Sequence, residues 1–138
     1  MFMPSLKTYD LFISHAWTYN DEYYKMVNML KQTPLFTWRN YSVPEHDPLK
    51  AKTDAQLYAA LQNQIRPVNA VIVLAGMYAA YRKWIEAEIE IAKSYKKPII
   101  GVKPWGNALV PKIVQDSAKT VVGWNTASIV EAIRKYSL

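Results

Sequence analysis

Residues 70–75 read Ala70-Val71-Ile72-Val73-Leu74-Ala75. The run is apolar throughout, with β-branched residues at Val71, Ile72 and Val73 and no alternation of polar and apolar positions. Pro67 precedes it and Gly76 follows it, so it is too short for an ordinary helix. A strand of this kind is buried on both faces. Sheets covered on both faces are typically parallel, with helices packed on either side. The stretch therefore predicts a central strand of an α/β sheet.

The flanking sequence supplies the rest of such a sheet. Tyr9-Asp10-Leu11-Phe12-Ile13-Ser14 is a second short apolar run, and Leu35–Trp38, Pro98–Val102 and Thr120–Trp124 are three more. Helical periods separate them. Asn20-Asp21-Glu22 opens a helix through about Gln32, with Tyr23, Val27 and Leu30 on one face. Thr53 and Gln56 form a capping-box pair ahead of Leu57, Leu61 and Ile65, and Pro67 stops that helix. Pro111 starts a short helix, and Ile129, Val130 and Ile133 mark the last one. Strand and helix alternate, which predicts a flavodoxin-like, doubly wound, five-stranded parallel sheet in the order 2-1-3-4-5. Ligands of such sheets sit at the carboxyl ends of the strands, where the order reverses between strands 1 and 3. The loops there are Ser14–Tyr19 and Gly76–Arg82. The polar, proline-bearing segment Arg39–Lys52 is expected to fold over the same edge and to border the site.

The helix after the central strand carries an acid on its apolar side. At roughly 100° per residue, Trp84, Tyr81, Ala92, Ile85, Ile91 and Tyr95 fall within one arc, and Glu86, Glu90, Lys83 and Lys93 fall opposite. Glu88 projects into the middle of the apolar arc. Burying an unpaired charge costs several kcal/mol or more, so a carboxylate there has either a structural partner or a task.

Composition narrows the function. The chain has 138 residues, 51% of them apolar, enough for one domain over 1–138. No apolar run approaches the ~18 residues of a membrane span, and the N-terminal residues lack a signal-peptide layout. Cysteine is absent, which excludes disulfides, thiol nucleophiles and thiolate metal sites and fits a cytoplasmic protein. The net charge is +6, but basic residues come as scattered pairs such as Lys50 and Lys52, Lys96 and Lys97, or Arg134 and Lys135. Such scatter reads as a solvated surface, with a mild attraction for phosphate-bearing ligands as the second reading; neither nucleic acid nor membrane is expected as a partner.

Several chemistries drop out. The chain has four glycines, and they form neither G-x-G-x-x-G nor a P-loop. A phospho-receiver needs acids where Ser14-His15 and Ala75-Gly76 stand. His15 and His46 are the only histidines and have no ligand spacing, so no metal site is expected.

Tyr9-Asp10-Leu11-Phe12-Ile13-Ser14-His15 resembles the opening strand of a TIR domain. Trp84-x-x-x-Glu88 is similar to the TIR helix motif in which a Trp precedes the NAD-cleaving glutamate. Together with Asn40-Tyr41-Ser42-Val43-Pro44, Pro98–Val102 and Val122-Gly123-Trp124-Asn125, these motifs resemble the TIR-like family of bacteria and archaea, in the type found in Thoeris anti-phage systems. Ile85 stands where animal TIR domains commonly carry cysteine, and the second TIR box is only echoed by Arg39-Asn40 and Pro44.

The resemblance implies an NAD-cleaving enzyme of the NAD+ nucleosidase or ADP-ribosyl cyclase type. NAD+ is then its substrate rather than a cofactor, and a cyclic or conjugated ADP-ribose product signals to a separate effector protein. Glu88 is the implied catalytic residue. The candidate substrate-binding residues are Ser14, His15 and Trp17 after strand 1; Asn40, Tyr41 and Ser42 after strand 2; and Tyr81 and Trp84 beside Glu88. Some have a plain alternative: a loop histidine for His15, an ordinary turn at 40–42 and a core aromatic at Trp84, while Tyr81 is one of ten tyrosines. Asp10 reads as fixing the start of strand 1. The competing function is a non-catalytic TIR-like module that assembles through its sheet edge and the 39–52 loop.

Overall fold

The computed structural model describes residues 7–14, 21–42, 54–103 and 110–138, leaving aside the side chains of residues 21, 54, 57, 77–82 and 84. Five strands form one sheet: β1 (Thr8–Ile13), β2 (Thr37–Asn40), β3 (Ala70–Leu74), β4 (Ile99–Val102) and β5 (Thr120–Val122). Five α-helices connect or follow them: α1 (Asp21–Lys31), α2 (Asp54–Ile65), α3 (Tyr78–Ser94), α4 (Lys112–Ser117) and α5 (Thr126–Tyr136). The order across the sheet is β2-β1-β3-β4-β5, and every pairing is parallel. The expected flavodoxin-like order is the one observed.

Burial follows position in that order. All five residues of β3 and all four of β4 are buried, whereas the edge strands β2 and β5 are mostly half-exposed or exposed. Register places Leu11, Phe12 and Ile13 beside Ala70, Val71 and Ile72. Right-handed crossovers put α1 and α5 together on one face, and α2, α3 and α4 on the other. Helix α1 buries Tyr23, Met26, Val27 and Leu30, which recur at one face of a 3.6-residue period. Asn125 caps α5 by accepting the Ser128 amide at 2.8 Å, and α5 buries Ile129, Val130, Ala132 and Ile133. Gly101 in β4 lets α4 approach: a Cβ there would lie 2.9 Å from Val114 Cγ1.

The boundaries correct the sequence reading in places. β2 starts at Thr37, not at Leu35, because Leu35 has a left-handed φ of 56° and is 73% exposed. An apolar residue there imitates a strand start without belonging to one. β3 ends at Leu74, and Ala75 opens a 3₁₀ turn, Ala75–Met77, that leads into α3. β4 begins one residue after Pro98, and β5 stops at Val122. The Thr53 end of the capping-box pair lies outside the described residues.

Candidate functional site

The carboxyl ends of β1, β2 and β3 are joined by side chains that replace backbone partners. Ser14 donates its amide to Ile72 O at 2.8 Å, and its hydroxyl accepts the Leu74 amide at 2.7 Å. Ser14 is fully buried. At the end of β2, Asn40 Oδ1 accepts the Ser42 amide at 2.9 Å, a side-chain turn of the kind asparagine forms two residues ahead of itself. That turn sets Ser42 Oγ to accept the Ile13 amide at 2.8 Å. Asn40 Nδ2 donates to Tyr23 Oη on α1 at 2.8 Å, and Tyr41 donates its amide to Leu11 O at 2.8 Å. Ser14, Asn40, Tyr41 and Ser42 thus meet at one edge of the sheet, as their place after strands 1 and 2 leads one to expect. Their polar groups hold that edge together; a serine hydroxyl that accepts an amide keeps its own proton to donate.

Glu88 is carried by a different element. Helix α3 begins at this edge and runs back along the sheet, so Glu88, ten positions after Tyr78, lies about 15 Å along the helix. Glu88 is 1% exposed, between the buried Ile85, Ile89, Ile91 and Ala92. Glu90, Lys83 and Lys93 are exposed, as the helical arc predicts. Ile89 is also buried, a residue the arc left out. The side chains of Tyr78, Tyr81 and Trp84 lie outside the described residues, as do His15, Trp17 and the loop from Val43 to Thr53.

Glu22 is a group the sequence reading used only as a helix opener. It stands in the first turn of α1, at the carboxyl edge. Burial raises its pKa above the ordinary 4.5, and Lys25 opposes the shift. Its Oε2 is shut from solvent without a hydrogen-bond partner among the described residues. The signal in the sequence was its place beside the Ser14–Tyr19 loop.

Asp10 and Arg39, facing each other across β1 and β2, form a two-pronged pair at 2.6 and 3.0 Å. The hydrogen bond to Asp10 raises the Arg39 pKa further. The pair is structural, in keeping with the role read for Asp10. Among the described residues no cluster of His, Cys, Asp or Glu could hold a metal ion, and no helix is long and apolar enough to cross a membrane. Two cavities, of about 350 and 220 Å³, flank α5 on the face opposite α3.

A family model, that of the TIR-like domain of Thoeris protein ThsB, matches residues 12–108. The chain belongs to this TIR-like family. The TIR-like protein is thereby one of anti-phage defence, and the matched segment holds Ser14, Asn40, Tyr41, Ser42 and Glu88. No curated protein matches this TIR-like chain. Among solved structures, it is similar to the 2-deoxyribosyltransferase of the psychrotolerant bacterium Bacillus psychrosaccharolyticus. The TM-score is 0.55 and the identity 13%, over 87% of this chain and 89% of that one. At that identity the likeness of the TIR-like chain shows the fold alone.

Proposed function

We propose that this TIR-like domain cleaves the nicotinamide–ribose bond of NAD+, with Glu88 as the catalytic carboxylate. The observation that carries the proposal is a glutamate 1% exposed within the apolar face of α3, inside the segment that matches the family. The chemistry asks for little else. Nicotinamide leaves as a neutral molecule with the bonding pair, so no strong general acid is needed. The ribose carbon passes through an oxocarbenium-like state, as in glycoside hydrolysis. A preorganised carboxylate in an apolar setting stabilises that charge more than it would in water. Capture by water yields ADP-ribose; capture by a nucleophile within the molecule or on a second one yields a cyclic or conjugated product. Such a product suits a diffusible signal to a separate effector protein, made in the cytoplasm. NAD+ is then substrate, and no resident cofactor is required.

A second reading, a non-catalytic TIR-like module, is favoured by the way Ser14, Asn40 and Ser42 serve the backbone. Glu88→Gln separates the two. In protein from phage-challenged cells, the substitution is expected to lower NAD+ turnover by about 10²–10³-fold with little change in melting temperature. If Glu88 serves a structural ion pair, the same change costs about 3–5 kcal/mol of stability instead. Full turnover by a well-folded Glu88→Gln protein sinks the mechanism.

A further inference from the structure

Leu35 stands where a leucine is disfavoured. Its φ of 56° lies in the left-handed region, where Cβ crowds the following carbonyl, yet its side chain is 73% exposed. Lys96 shares that φ for an evident reason: α3 has just ended, and the amides of Lys96 and Lys97 return to Lys93 O and Ala92 O. Leu35 has no such duty. Helix α1 closes upstream, through Gln32 to Asn28 O and Thr33 to Leu30 O. The Leu35 carbonyl is instead held by Arg134 Nη2 of α5 at 2.9 Å, and the same guanidinium lies 5.5 Å from the Phe36 ring centre. Phe36 turns into the core while Leu35 faces water. Glycine or asparagine would take this backbone with less strain. A strained residue held in place by a distant helix is a reason to look for a task.

The surroundings suggest one. Arg134 also lines the cavity of about 350 Å³ between the turn after α1 and α5, with Thr33, Ala127 and Val130. Lys31 and Lys135 are exposed in the last turns of α1 and α5, and Lys135 lines the cavity of about 220 Å³ on the other side of α5. Lys7 extends the set, lying 5.2 Å from the centre of the Tyr9 ring, which stacks on Phe36. Glu131 is the one acid among the described residues lining the cavity. The basic residues looked scattered along the sequence, but every helix of a parallel sheet ends at the amino edge. The fold therefore gathers Lys96, Lys97 and Lys119 on the same pole.

We propose that this amino-edge surface between α1 and α5 docks an acidic segment of a partner protein. An apolar side chain of that segment would fill the groove beside Leu35, and its carboxylates would face Arg134 and the Lys31 end of α1. A concave groove suits a protruding side chain, not a flat bilayer. An exposed leucine also adds nothing to phosphate binding. Leu35 and Arg134 lie at the opposite end of the sheet from Ser14 and Ser42, and the cavity runs from there along α5 to Ala127 in its first turn. The inference does not rest on NAD+ cleavage.

The test uses a fluorescein-labelled helical peptide with leucines along one face and glutamates elsewhere, titrated by anisotropy against the full chain. Saturable binding is expected, with none by the same peptide carrying lysines for glutamates. Leu35→Gly is expected to weaken binding about tenfold, with an unchanged or higher melting temperature and unchanged NAD+ turnover. Lys31→Glu is expected to weaken it as well. Equal affinity of the Leu35→Gly protein, or its lower melting temperature, overturns the proposal. So does binding of phosphatidylserine vesicles or duplex DNA in place of the peptide. A dimer of this chain that Leu35→Gly dissolves assigns the surface to a second copy and overturns it too.

Discussion

Ser42 Oγ accepts the amide of Ile13 at 2.8 Å, so the turn after β2 supplies a hydrogen bond to the last residue of β1. Both residues are buried, and water does not replace a lost partner easily. Ser42→Ala is expected to destabilise the fold by about 1–3 kcal/mol, the penalty of a buried amide left without an acceptor. Urea unfolding reads this as a lower midpoint with an unchanged slope. An unaltered midpoint would mean that the Ile13 amide finds another acceptor.

Gly101→Ala tests the contact between β4 and α4. The added Cβ would lie 2.9 Å from Val114 Cγ1 and 3.2 Å from Val121 Cγ2. Overpacking of this kind costs about 1–3 kcal/mol. Val114→Ala in the same chain is expected to recover part of the loss, so the two effects should not add. Strict additivity in thermal or urea unfolding would show that α4 moves away freely.

Glu22 gives a pH signature. Its folded-state pKa lies above 4.5 because burial disfavours the carboxylate. Above that folded value the ionised group destabilises the native state. Below 4.5 it is neutral in both states and the penalty is gone. Glu22→Gln is therefore expected to melt higher than the parent at about pH 7 and level with it at about pH 4. A variant that melts lower at the higher pH would place attraction to Lys25 and the helix dipole above burial.

Much of the fold was legible because burial on both faces leaves continuous apolar runs, as in Ala70–Leu74 and Ile99–Val102. The burial of Glu88 was legible for a similar reason, since its neighbours on the helix are apolar. The start of β2 was not. Leu35 and Phe36 are both apolar, and only the backbone sign at Leu35 separates the outward side chain from the inward one. The bonds of Ser14 to Leu74 and Ser42 to Ile13 were equally hidden. They join residues 60 and 29 positions apart, and their hydroxyls look the same in sequence whether they face a ligand or a backbone amide. The basic pole was hidden because it arises from topology, not from any run of charge.

The strand order also governs what happens while the chain is being made. β1 leaves the ribosome before the other four strands of the sheet, but it lies between β2 and β3, and Asp10 meets Asn69 only after 59 further residues have been added. Until then Leu11, Phe12 and Ile13 have a neighbour on one side at most. During synthesis that stretch is the open flank of a nascent sheet, available to chaperones or to a like strand of another copy. Translation of the segment between β2 and β3 therefore sets how long the future interior of the protein remains at its surface.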